Sequence, residues 1–290
     1  MRELNLKRTG MTLFFSCLLI LCSFNVSASD RERPGNISKV IVVQSDTHLP
    51  VSAKPIRNIV LGGGEHQDWS YQELLDKARK EAIDSDANVV KINERIKRSK
   101  VNTSDRIVAT LYHVEDVKPL ETEMPWRIDR KLTWDDFRGP IPFDAEEITA
   151  AATFCGIGFE TSSITTSSDK LRVKVYNTFY ANKSWGRPEE MNDHVLAHEQ
   201  GHFDLCELYT RMLRKRLHNV SISVQTLKPV LRAIYAEVQK EYKERQADYE
   251  RETEHGVNLA GQKKWEQIIA RELVETQNWS SEEAIQLALR

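Results

Sequence analysis

A mixed α+β protein is what this sequence predicts, built from a small ββαββ unit followed by a larger unit with two long helices. Three observations predict it. Four β-rich runs lie within residues 39–114, with one helical run between the second and third. Two strand-like runs occupy residues 150–180. Apolar residues then recur at helical spacing from Pro188 to about Leu217 and again from Leu227 to Glu252. The expected units are residues 36–118 and 126–290, after a leader of residues 1–28.

The leader differs from all that follows. Arg2, Lys7 and Arg8 precede an apolar stretch from Met11 to Phe24, and Val26-Ser27-Ala28 supplies small residues for cleavage. That is the pattern of a secretory signal peptide. The apolar stretch, about 14 residues, is too short for a comfortable membrane span. A lipoprotein would place a small residue before its cysteine, whereas Cys22 follows Leu21. The expectation is a secreted or periplasmic protein with no stable membrane anchor after cleavage. Two cysteines remain, Cys155 and Cys206: a disulfide, or two buried thiols. The formal net charge of −2 over 290 residues argues against a nucleic-acid binder, which would show a basic face.

The first unit opens with Lys39–Val43 and Ile56–Leu61, both β-rich. Gly62-Gly63-Gly64 follows without the spacing or the Lys-Ser/Thr of a phosphate loop, so it reads as a turn. Ser70-Tyr71-Gln72-Glu73 is a capping box, and Leu74, Leu75, Ala78 and Ala82 continue at helical spacing, predicting a helix over about 70–85. Strands over 89–96 and 106–114 complete the unit, which holds no chemical constellation.

In the second unit, Leu132, Trp134 and Phe137 predict an anchored turn. Strands are expected over 150–160 and 171–180, separated by a Ser/Thr loop. An extended peptide can pair with an open sheet edge, and 171–180 is the candidate strand for that role, an ordinary structural strand being the alternative. Pro188 fits a first helical turn. Shorter amphipathic helices are expected over 262–275 and 281–289.

The chemistry sits in His198-Glu199-Gln200-Gly201-His202. Two histidines four residues apart share one face of a helix, so their imidazoles reach one metal ion from one rigid element. Glu199 is angled away from that pair and suits a general base. This is the H-E-x-x-H pattern of zinc peptidases. Cys206, Val195, Tyr209 and Leu213 share the broad face, which therefore points inward. Asp204 and Glu207 fall on other faces and are expected as supporting or solvent groups. Leu208 stands where a compact three-histidine pattern would place its last ligand. The third ligand must come from farther on, and Glu244 to Gly256 is the richest stretch. His255 is the preferred candidate, with Glu250 and the Glu244/Asp248 pair as alternatives. Tyr249 is either a hydrogen-bond donor to an oxyanion or a packed helix tyrosine.

Trp134–Gly139, Ser184-Trp185, His198–Asp204 and Tyr249–Gly256, followed by Gln262 and Trp265, together resemble one bacterial family, the domain of unknown function 922 family. The resemblance covers about residues 126–270. It implies a secreted zinc-dependent protease with a metallopeptidase-like fold, and it makes Tyr249–Gly256 part of the site without deciding which side chain binds metal. In that family an acid, usually Asp, follows the tyrosine; this chain has Glu250.

The expectation is therefore an exported zinc-dependent endopeptidase with a zincin-like domain. His198, His202 and His255 would hold Zn²⁺, Glu199 would act as base, and a peptide or protein would be the substrate. The alternative is a catalytically inactive cell-envelope binding or scaffold protein that keeps the same fold.

Overall fold

The computed structural model describes residues 40–63, 69–97, 105–146, 149–163, 170–220, 223, 226–281 and 283–288. The leader at residues 1–28, Gly64 and residues 164–169 of the Ser/Thr loop lie outside them.

In the first region the order is β1 (Ile41–Val43), β2 (Lys54–Gly62), α1 (Tyr71–Asp84), β3 (Val89–Ile96) and β4 (Arg106–His113). These strands form one sheet in the order β1-β3-β4-β2, with β1 parallel to β3 and the other pairs antiparallel. α1 starts where the capping box predicts: Ser70 Oγ accepts from Glu73 N, and Glu73 returns a carboxylate oxygen to Ser70 N. Its buried face of Leu74, Leu75, Ala78 and Ala82 packs on Val90, Ile92, Ile107, Ala109 and Leu111. Gly62 and Gly63 both have positive φ, as a turn there requires.

The second region has β8 (Lys170–Tyr180) at its centre. β7 (Cys155–Ser163) runs antiparallel along one edge, while β10 (Ile285–Ala288) and β5 (Glu123–Pro125) share the other. The candidate substrate strand is therefore an interior strand. β6 (Ala151–Ala152) and β9 (Trp185–Gly186) make a separate two-stranded ribbon. α2 (Asp193–His218) lies against β7 and β8, and α3 (Leu227–Thr253) and α4 (Leu259–Glu275) pack on its remaining sides.

Two expected elements differ. Pro188 opens a separate 3₁₀ turn, Pro188–Glu190, and the long helix begins only at Asp193, where the Asn192 side chain accepts from His194 N and Val195 N. The helix expected over 281–289 is instead strand β10. Leu287 is buried opposite Leu171, so a free edge of β8 captured a run too short to be stable as an isolated helix. Among the described residues, no helix is long and apolar enough to cross a membrane.

Charged side chains join the two regions. Glu73 pairs with Arg172 at 2.6 Å, Asp76 pairs with Lys174, and Gln72 N donates to Glu160 at 2.9 Å. The first turns of α1 thus cover the polar outer face of β7 and β8.

Candidate metal centre

Helical periodicity puts His198 and His202 on one face of α2, and their Nε2 atoms are 3.2 Å apart. The end of α3 runs alongside. There Glu250 places Oε1 3.2 Å from His202 Nε2 and Oε2 3.3 Å from His198 Nε2. The three side chains can each offer a ligand atom, all within 4.8 Å of one another. His198 is 5 % exposed and Glu199 3 %, whereas the Glu250 side chain is one-third exposed, so the cluster opens toward α3.

The structure thus brings Glu250, not the expected His255, beside the two histidines. α3 ends at Thr253, and Glu254, His255 and Gly256 all adopt positive φ. That turn lays Gly256 against the His198 ring and carries the His255 side chain out to 78 % exposure. From there His255 Nδ1 still reaches Glu250 Oε2 at 3.1 Å. Glu244 and Asp248 belong to the outer surface, paired with Lys240 and Arg251.

Tyr249 packs rather than faces solvent. It is wholly buried, stacks on His198 with ring centroids 4.8 Å apart, and its hydroxyl shares one proton between His198 O and Gln262 Oε1, each at 3.0 Å. Gly201 is required by this contact, because a Cβ there would collide with the Tyr249 hydroxyl. Burial pushes the Tyr249 phenol well above its ordinary range. The groups expected on the other faces of α2 are buried and paired. Asp204 accepts from Trp126 Nε1 at 2.6 Å, Gln200 Nε2 at 2.7 Å and Lys131 Nζ at 3.1 Å, which fastens residues 126–132 onto the helix. Glu207 pairs with Arg211 and Arg214. Cys155 and Cys206 are free thiols, and Cys155 Sγ lies 3.6 Å from the Tyr242 hydroxyl.

The cluster attracts positive charge. Burial pulls His202 down, but the hydrogen bond and charge of Glu250 and the charge of Glu199 outweigh it and hold His202 up at about 9. Burial also opposes ionisation of Glu250, yet the two histidines hold its carboxyl far below the usual carboxylate range. Glu199 Oε2 is buried without a hydrogen-bond partner, while Glu250 Oε2 faces the ring nitrogens of His198 and His255 at 3.3 and 3.1 Å. Two imidazole nitrogens and a carboxylate, with the unpartnered Glu199 acceptor beside them, fit a bound metal ion.

Two glutamines complete the surroundings. His198 Nδ1 is 3.2 Å from Gln262 Oε1, and His202 Nδ1 is 2.6 Å from Gln246 Oε1. Gln262 carries part of the family resemblance. Gln246 has a weaker signal: Tyr242, Gln246, Tyr249, Glu250 and Thr253 form one stripe at helical spacing along an otherwise charged helix.

Neither the curated proteins nor the solved structures searched contain a match to this chain. Residues 163–256 match the model of a family described as "Bacterial protein of unknown function (DUF922)", the family the sequence resembles, and the matched segment contains His198, Glu199, His202 and Glu250 together.

Proposed function

We propose that this chain is an exported zinc-dependent endopeptidase. The observation that carries the reading is the convergence of His198 Nε2, His202 Nε2 and the Glu250 carboxylate, with Glu199 on the same turn of α2. A His₂Glu donor set with open positions is the ligand set of catalytic zinc in several peptidases. A sheet lying on an H-E-x-x-H helix, with the third donor from the next long helix, supports a zincin-like reading of the second region. Export rests on the leader at residues 1–28.

His198, His202 and Glu250 would hold the ion, taking the place given to His255 on sequence grounds. A zinc ion held there would supply Lewis acidity toward a carbonyl and would lower the pKa of a bound water toward about 7. Glu199 Oε2 is a buried acceptor with nothing to accept from. It is suited to take a proton from water and pass it to a leaving amine. Tyr249 does not share in this, since its hydroxyl is committed to His198 O and Gln262.

The test is zinc content and cleavage of unstructured casein by the purified protein. The unaltered chain should hold about one zinc and lose activity to a chelator. Glu199→Gln should keep the metal and lose at least roughly 100-fold in cleavage rate. Undiminished cleavage by that variant removes Glu199 as the base.

A second reading has one observation in its favour. Glu199 is only 3 % exposed, which leaves little room for a polypeptide beside it. In that reading the chain is an envelope binding or scaffold protein whose metal centre holds α2 to α3. A full zinc complement with no cleavage would select it.

A further inference from the structure

We propose that Gln246 and Gln262 are the positioning residues of the metal centre, each fixing a proton on Nδ1 of one histidine so that both Nε2 atoms are offered beside Glu250. The proposal rests on the metal-binding reading above, but not on peptide cleavage.

The argument starts from which way each amide points. Gln246 Nε2 lies 3.2 Å from His202 O and 2.8 Å from the Tyr242 hydroxyl. A peptide oxygen only accepts, so the NH₂ group must occupy that side. Oε1 then faces His202 Nδ1 at 2.6 Å, and a contact that short between nitrogen and oxygen requires a proton on Nδ1.

Gln262 is fixed by different neighbours. Its Nε2 lies 3.1 Å from Glu266 Oε1, a carboxylate that can only accept when ionised. Its Oε1 receives the Tyr249 hydroxyl at 3.0 Å and faces His198 Nδ1 at 3.2 Å. Flipping the amide would set Oε1 against Glu266, placing two acceptors together. Both histidines therefore carry a proton on Nδ1, which leaves Nε2 as the atom each ring offers to a metal.

The consequence falls at the point of convergence. With both Nδ1 atoms so engaged, the two Nε2 atoms, 3.2 Å apart, and a carboxylate within 3.3 Å of each are the donors left to meet a cation. A proton fills that space when no metal is bound and a metal ion can replace it, so the two amides ready Nε2 of each ring for metal. An amide supplies the acceptor while adding no charge, which leaves Glu250 as the only anionic group in the triad.

Zinc affinity of the full chain, measured by competition with a chromophoric chelator, tests this. Methionine removes the acceptor at similar length. Gln246→Met and Gln262→Met should each weaken zinc binding roughly 10- to 100-fold. Their metal-free unfolding temperature should fall, since a buried Nδ1–H loses its acceptor, so affinity is measured at a temperature where each variant is folded. The double exchange Gln262→Glu with Glu266→Gln swaps amide and carboxylate, so His198 Nδ1 keeps an acceptor and zinc affinity should be retained or raised. Nitrogen-15 spectra of the zinc-loaded unaltered chain should show Nδ1 protonated in both rings.

Unchanged affinity in the methionine variants overturns the proposal. So does weakened binding that the exchange fails to restore, which would assign the glutamines a packing role. Should a methionine variant not fold, the exchange and the spectra decide alone, and an Nδ1 without its proton overturns the proposal. An unaltered chain that takes up no zinc overturns the metal reading itself, a result distinct from either.

Discussion

The molecule sets a helix on a sheet twice, and the two helices bury different chemistry. α1 presents leucine and alanine to the first sheet, and its one buried acid, Glu73, is matched by Arg172. α2 buries Phe203, Leu205, Leu213 and Leu217, and with them His198, Glu199, Asp204, Glu207, Arg211 and Arg214. Burying such groups costs several kcal/mol each unless they find partners. Asp204, Glu207 and both arginines do find them. Among the described residues, the buried polar side-chain atoms without a hydrogen-bond partner lie in the second region, and on α2 that atom is Glu199 Oε2. α1 leaves no buried acid unpaired, whereas α2 buries the Glu199 oxygen beside a cluster that could hold a metal.

That contrast can be broken at its strongest point first. Glu250→Ala should abolish metal binding, since it removes the only carboxylate of the cluster, and elemental analysis should fall from about one zinc per chain to none. Full retention would return the third-ligand role to another side chain. A smaller effect of a different kind is expected on the other side of the comparison. Leu74→Ala in α1, wholly buried, should cost about 2–5 kcal/mol in denaturant unfolding. The zinc content of the folded fraction should not change.

Asp136 offers a finer test, because it is a buried acid whose partners are complete. Its side chain accepts twice from Arg130, at 2.9 and 3.0 Å, and once from Thr133 N at 2.7 Å. Burial works against ionisation, but these bonds and the Arg130 charge win and lower its pKa below the ordinary value. A folded-state pKa below the unfolded one adds stability above the unfolded value, and that stability is lost as pH falls through the folded value. Asp136→Asn should therefore cost roughly 1–3 kcal/mol at pH 7. The gap between variant and parent should close as pH falls below about 4; a gap that persists in acid would assign the loss to packing. The smallest effect is expected at His255→Ala, whose side chain is mostly exposed. Zinc should be retained there, and loss of the metal would show that the contact with Glu250 is essential.

Much of this arrangement was legible in the residues. The Ser70–Glu73 capping box marks the start of α1, and the four strands around it follow from short β-rich runs between turns. His198 and His202 share a face because four residues nearly complete a helical turn, a relation that needs no tertiary information. The limits appear where local pattern ran out. Ile285–Ala288 is too short for its period to distinguish strand from helix, and the unfilled edge of β8 decided it. Pro188 fits the opening of any helix, but the Asn192 cap four residues later set the true start of α2.

The sequence by itself determined the helix, its inward histidines and the acid beside them, because these depend on neighbours within one turn. Only the tertiary structure decided which side chain stands beside the two histidines. Glu250 and His255 lie five residues apart, and both are chemically able to bind metal. The choice depends on how α3 is rotated about its axis and where it ends. Burial of Leu231, Val238 and Tyr249 sets the rotation, which turns Glu250 toward α2. The left-handed turn after Thr253 takes His255 off the helix and into solvent. Such packing sums contacts from three helices and a sheet, and no window along the chain contains it.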